Sequence, residues 1–123
     1  MRINEDRLLY PKSPEVLSAV NPKWQHILDL MNSLNVNDWK QAILQADIML
    51  ADILDRMALP GVTIGDKLKA VEKSDFNSIE NAWEAHKIRN QIAHEGTDFI
   101  LNQHEALRVL NLYKTVFEEF HVI

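Results

Sequence analysis

An apolar seam through the first half of the chain sets the tightest limit on what it can fold into. Trp39, Ile43, Ala46, Leu50, Ile53 and Met57 follow one another at steps of 4, 3, 4, 3 and 4 residues. That spacing keeps them on one side of an α-helix and scatters them over both faces of a strand. Leu44, Ile48, Ala51 and Leu54 widen the stripe. A helix apolar over so wide an arc belongs in the middle of a bundle or at a dimer interface.

Local punctuation divides the rest into helices of ordinary length. Asn21-Pro22 pairs a capping side chain with proline at the first helical position, where its missing N–H costs nothing. A helix is expected from there through Trp24, Ile27, Leu28 and Met31 to about Leu34, with Asn35 suited to a left-handed end. Asn37 is expected to cap the long helix, about Asp38 to Ala58, which Leu59-Pro60-Gly61 ends. Thr63 opens a short helix, Ile64 to about Lys73, with Asp66 placed to reach back to the cap. Asn77 opens another, about Ser78 to Glu95, carrying Ile79, Trp83, Ile88 and Ile92, and Gly96 closes it. Asn102 and Glu105 mark the last, about Gln103 to Phe120, which holds Leu107, Leu110, Val116, Phe117 and Phe120. The pattern shows neither an alternating run long enough for a strand nor an internal repeat. The expected fold is all-α, a four- or five-helix up-and-down bundle in residues 14–123. Residues 1–13 read as an N-terminal tail in which Leu8, Leu9 and Tyr10 can dock on the body.

Composition agrees with one globular domain: 123 residues, 46% hydrophobic and 25% charged. The absence of cysteine excludes disulfides, thiolate metal sites and a cysteine nucleophile. No apolar run reaches the roughly 18 residues that a membrane span needs, and the start MRINEDRLLYPK has charges where a signal peptide needs an apolar core. A cytoplasmic protein with no membrane association is the expectation. The net charge of −5 argues against generic nucleic-acid binding, which is dominated by phosphate neutralisation.

The segment richest in chemistry is Trp83-Glu84-Ala85-His86-Lys87-Ile88-Arg89-Asn90-Gln91-Ile92-Ala93-His94-Glu95-Gly96. On a helix His86, Asn90 and His94 form one polar stripe, with Arg89 beside it. His94 lies in the last turn, where the helix dipole favours an imidazolium and Arg89 opposes it. Histidine can exchange a proton at cellular pH. Arg89 offers a planar fork of donors to phosphate, and Asn90 can both donate and accept. These groups suit phosphodiester chemistry without a metal or other cofactor. His86 and His94 sit roughly 12 Å apart along the axis, too far to share a zinc ion with ligand atoms at about 2 Å.

Each residue also has a plainer reading. His94 can bond a helix-end carbonyl. Arg89 can pair with Glu84, Glu95 or Asp98, and Asn90 can meet its own copy across a two-fold axis. His86 reads as a solvated or core-edge histidine, and Trp83, Trp24 and Trp39 as core. Asp47, close to the long seam, is either a helix-edge residue or a partner for Arg89.

Arg89-Asn90-Gln91-Ile92-Ala93-His94 resembles the R-polar-x(n)-H motif of the HEPN (higher eukaryotes and prokaryotes nucleotide-binding) superfamily. The resemblance implies a small helical bundle with the motif near the end of a late helix. It implies a metal-independent endoribonuclease acting as a homodimer, with both motifs lining one composite cleft and Arg89, Asn90 and His94 as catalytic residues. Supporting contacts to RNA are expected from His86, Lys87 and Lys67. The resemblance extends that nuclease reading to the toxin of a toxin–antitoxin pair with a nucleotidyltransferase-like antitoxin, whereas related bundles serve instead as non-catalytic dimerisation, nucleotide-binding or partner-binding modules. From Ile64 to Glu95 five basic residues face six acidic ones, so phosphate affinity there requires a local patch.

Overall fold

A computed structural model describes residues 21–123, which form a helical bundle. The tail expected at residues 1–13, and the docking of Leu8, Leu9 and Tyr10, lie outside the described residues. The five α-helices among the described residues are α1 (Pro22–Met31), α2 (Val36–Arg56), α3 (Ile64–Lys69), α4 (Ile79–Glu95) and α5 (Gln103–Glu119). Single 3-10 turns, Lys73–Asp75 and Gly96–Asp98, lead into and out of α4. No helix among the described residues is long and apolar enough to cross a membrane.

Most helix starts follow from local side-chain chemistry. The Asn21 carboxamide accepts from the backbone N–H of Lys23 and Trp24, and Pro22 takes the first helical position. The Thr63 side chain accepts from the N–H of Asp66, and Asn102 from that of Glu105. Each such cap satisfies a backbone donor that the helix itself leaves open.

Three boundaries differ from expectation, the simplest being α3, which ends at Lys69 rather than near Lys73, where a separate 3-10 turn begins. Asn35 is not a left-handed end; it sits in extended backbone at φ −101° and ψ 122° and caps α2, accepting from Asn37 N–H. Asn37 is therefore already helical, and α1 stops at Met31 rather than Leu34. The turn between them is fixed by Ser33, whose hydroxyl accepts from Asn35 N–H at 2.9 Å and whose carbonyl accepts from the Trp39 indole at 2.9 Å. At α4 neither Asn77 nor Ser78 caps through its own side chain. The Glu119 carboxylate of α5 accepts from Asn77 N–H at 2.7 Å and from Ser78 N–H at 2.8 Å instead. A carboxylate at the positive end of a helix dipole is favourable. Burial works against its charge, but the bonds from the Ser78 hydroxyl and the Asn77 and Ser78 backbone hold the Glu119 carboxyl below its usual value of 4.5.

Side-chain pairs define the direction of packing. Lys23 meets Asp52 near one end of the α1–α2 pair, while Trp39 meets Ser33 near the other. Lys40 reaches Gly96 past the end of α4, whereas Asp47 reaches His86 seven α2 residues later. Ser78 meets Glu119, and Glu84 meets Arg108. Antiparallel contacts thus link α1 to α2, α2 to α4 and α4 to α5. At the far end of the molecule the Asn21 amide donates to the Val122 carbonyl at 3.0 Å.

The seam on α2 is the centre of the core. Ile43, Ala46, Leu50 and Leu54 are fully buried, together with Ile27 of α1, Ala82 and Ala85 of α4, and Val109, Tyr113, Val116 and Phe117 of α5. Burying one leucine of this set contributes about 1.5–3 kcal/mol. Trp24 lies half-buried at the edge of the core, its ring meeting Phe117 edge-on at 5.6 Å. Trp39 and Trp83 are also half-buried against the core. Ile48, expected to widen the apolar stripe, is 53% exposed, and Leu107 also faces outward.

Candidate functional site

Asp47 organises the candidate site from inside the bundle. It occupies the α2 flank that faces α4 and α5, and it is 1% exposed. A buried carboxylate without partners is strongly disfavoured, and this one has three. The Tyr113 hydroxyl of α5 donates to Oδ1 at 2.8 Å. His86 Nδ1 of α4 lies 3.2 Å from Oδ1 and 3.1 Å from Oδ2. Arg89 Nε, also on α4, stands 3.4 Å from Oδ2. That last contact is an ion pair without hydrogen-bond geometry, since Arg89 Nε is buried and makes no hydrogen bond among the described residues. Between the two readings of Asp47, the structure makes it the partner of Arg89.

Burial, followed by the nearby Asp47 charge and the hydrogen bond to it, pushes the Tyr113 hydroxyl well above its usual value of 10.0. Tyr113 is therefore a neutral donor at any physiological pH.

From this anchor the site runs outward along α4. His86 is buried, and its Nε2 lies 3.3 Å from Asn90 Nδ2 one turn on. Asn90 is exposed, and its Oδ1 accepts from Arg89 Nη1 at 3.0 Å. The Arg89 side chain is 36% exposed, so its inner edge faces Asp47 while its outer nitrogens reach the surface. The acidic neighbours that the sequence offers Arg89 are not its partners here: Glu84 binds Arg108 at 2.6 Å instead. Arg108 also pairs with Glu105, whose carboxyl its hydrogen bond holds below 4.5.

The remaining sequence-derived candidates fall into two groups. His94, in the last turn of α4, is exposed. Its ring bonds no helix-end carbonyl among the described residues; past the end of α4 it is Lys40 whose Nζ donates to the Gly96 oxygen, at 2.8 Å. Lys40 thus supplies a positive charge at the negative end of the α4 dipole, a role the sequence reading left unassigned. Lys87 is exposed on α4. Lys67 is tied to Asp55 of α2 and joins neither Lys87 nor the cluster around Asp47.

Arg89, Asn90 and His86 are therefore brought into one connected group, and His94 stands beyond it toward the end of the same helix. Sequence reasoning missed Tyr113 and underrated His86. A signal for both exists in retrospect: an aspartate inside an apolar seam demands donors from whichever helices cover it.

Chemically, the group presents a half-exposed guanidinium and a carboxamide at the surface, backed by a buried carboxylate that offsets the guanidinium's charge. It can donate to a phosphate oxygen through Arg89 and orient a hydroxyl through Asn90. Among the described residues no three His, Asp or Glu side chains gather to hold a metal ion. Comparison with known proteins yields no relative to set beside this arrangement: no family model, curated protein or solved structure matches the chain.

Proposed function

We propose that this chain is a HEPN-type, metal-independent endoribonuclease that works in the cytoplasm as a homodimer, with Arg89, Asn90 and His94 as its catalytic residues. One observation carries the reading: Arg89 is gripped from inside by Asp47 and laterally by Asn90, so its outer nitrogens are presented at the surface rather than consumed by a neighbouring surface acid. The R-N-x-x-x-H spacing then sets an exposed imidazole one turn further along the same helix.

In this mechanism the RNA 2′-hydroxyl loses its proton to His94 and attacks the adjacent phosphorus. The bond to the 5′-oxygen breaks, and that oxygen takes a proton from the second copy of His94 in the dimer. The products are a 2′,3′-cyclic phosphate and a 5′-hydroxyl end. Arg89 stabilises charge on the phosphorane-like transition state, and Asn90 positions the ribose. Family resemblance alone extends the reading to the toxin of a toxin–antitoxin pair, with a nucleotidyltransferase-like antitoxin as partner.

The test is RNA cleavage in EDTA. His94→Ala should abolish it while the protein keeps its helical content and its sedimentation as a dimer. Wild-type protein inert on a broad panel of single-stranded and structured RNAs overturns the reading.

The charge balance favours a second reading, a non-catalytic dimerisation or nucleotide-binding module. Asp47 neutralises part of Arg89, and the whole chain carries −5. On that reading His94→Ala weakens dimerisation or partner binding, and no RNA is cleaved by the wild type.

A further inference from the structure

We propose that His86, fixed by Asp47, is a positioning residue that sets the orientation of Arg89 through the carboxamide of Asn90. The inference rests on the reading of Arg89 as a phosphate-binding group, and it concerns how that group is held.

The argument follows the donors. A carboxylate only accepts, and both Asp47 oxygens lie within 3.2 Å of His86 Nδ1. The ring hydrogen therefore sits on Nδ1, and in the neutral ring Nε2 is left as an acceptor. The atom facing it, at 3.3 Å, is the amide nitrogen of Asn90, which only donates. This fixes the amide, because its oxygen must then point the other way. There it meets Arg89 Nη1 at 3.0 Å, and a guanidinium nitrogen only donates.

Three consecutive hydrogen bonds thus run in one sense, from Arg89 to Asn90 to His86 to Asp47. Turning over the amide sets acceptor against acceptor at His86 and donor against donor at Arg89, and turning over the ring puts carbon where each ring nitrogen stands. Tyr113, donating from α5 to Oδ1 of the same carboxylate, gives Asp47 a further anchor against rotation. The surface guanidinium is consequently held at two points, by the Asp47 charge along Nε and by Asn90 at Nη1. Nη2 makes no hydrogen bond among the described residues and is left for a ligand. Preorganisation of this kind spares the site the entropy of ordering a long side chain when phosphate arrives.

Two measurements on the full chain test this. The first is imidazole nitrogen NMR of protein labelled with nitrogen-15 in its five histidines. His86 should show a protonated Nδ1 and an unprotonated Nε2; the opposite tautomer overturns the proposal. This readout does not depend on RNA cleavage, so it stands even where the nuclease reading fails.

The second measurement is titration with inorganic phosphate, followed on the Arg89 side-chain nitrogen signals, with RNA turnover measured alongside. His86→Asn keeps a donor toward Asp47 and removes the acceptor toward Asn90. It should weaken phosphate binding about tenfold, the scale of one lost charge-assisted hydrogen bond. RNA turnover should fall in kcat by a similar factor. His86→Gln, which places a polar group near the Nε2 position, should restore part of the loss. Asn90→Leu, at an exposed position, cuts the same link without disturbing the core and should reproduce the loss in phosphate binding. Phosphate affinity unchanged in both His86→Asn and Asn90→Leu overturns the proposal. Affinity lowered in these variants of a protein whose wild type cleaves no RNA supports the positioning role and rejects the nuclease reading.

Discussion

The Tyr113 hydroxyl donates to Asp47 Oδ1 at 2.8 Å across a sequence separation of 66 residues, and both side chains are buried. This bond joins α5 to α2 at the point where α4 supplies His86 and Arg89. The interior of the bundle and the candidate surface site therefore share one carboxylate.

Removing that carboxylate should be costly. Asp47→Ala leaves a tyrosine hydroxyl, an imidazole N–H and a guanidinium without their partner. Loss of one member of a buried charged set typically costs about 3–5 kcal/mol. Tyr113→Phe removes one donor and should cost about 1–3 kcal/mol. Denaturant unfolding of both variants checks the ranking, and equal stability of Asp47→Ala and wild type would contradict it.

On the proposed nuclease reading, Arg89→Lys should preserve the fold and lose RNA cleavage. A lysine can approach Asp47 or Asn90 but has no planar fork with which to hold both and still face outward. RNA cleavage should fall about 100-fold or more, the usual consequence of losing one preorganised transition-state donor, with thermal stability within a few degrees of wild type. Single-turnover kinetics measures the first quantity and calorimetry the second.

Acid should release the cap on α4. The Glu119 carboxyl is held below 4.5 in the folded chain, so its stabilising contribution is present above that value and is lost as pH falls below it. Glu119→Gln should therefore cost about 1–2 kcal/mol at neutral pH, the scale of a helix cap. The gap between variant and wild type should close below about pH 4. Parallel unfolding curves from pH 7 to pH 3 check this; a gap that persists unchanged in acid refutes it.

Base should act on Tyr113 in the opposite sense. Its hydroxyl is raised well above 10.0, so its contribution is complete below that value and declines as pH rises past it. Tyrosinate absorbance at 295 nm, compared between wild type and Tyr113→Phe, should show that Tyr113 ionises only on alkaline unfolding.

Two glycines with positive φ should differ in tolerance. Gly96 has φ +58° but open space where a methyl group would sit, so Gly96→Ala meets backbone strain alone, about 1–2 kcal/mol. Gly61 has φ +124°, and a Cβ there would lie 2.6 Å from Asp66 Cβ. Gly61→Ala should be the more destabilising of the two by melting temperature.

What the sequence revealed and what it hid divide by range. Asn21, Thr63 and Asn102 were legible as caps because each bonds a backbone N–H within three residues. Asn35 and Asn37 were misassigned because both suit the same role locally. The choice falls to Asn35 together with Ser33, whose hydroxyl and carbonyl organise the turn. The α4 cap was illegible in principle, since its carboxylate comes from Glu119, 41 residues beyond Ser78. The polar stripe on α4 could be seen from spacing alone. That His86 turns inward could not, because its burial depends on Asp47 from another helix. Ile48 shows the converse: helical phase assigned it to the seam, but the described residues leave it half-open to solvent.

The Asp47–Arg89 pair also bears on how a polyanion would find this surface. Because the carboxylate offsets the guanidinium and the chain as a whole is negative, little long-range attraction draws RNA inward. Added salt shortens the Debye length to about 10 Å at 0.1 M and screens repulsion as readily as attraction. Encounter should therefore quicken, or stay level, as ionic strength rises toward that range, the reverse of an electrostatically steered nuclease. Discrimination would then rest on short-range fit at Arg89 and Asn90, made only after the strand has already arrived.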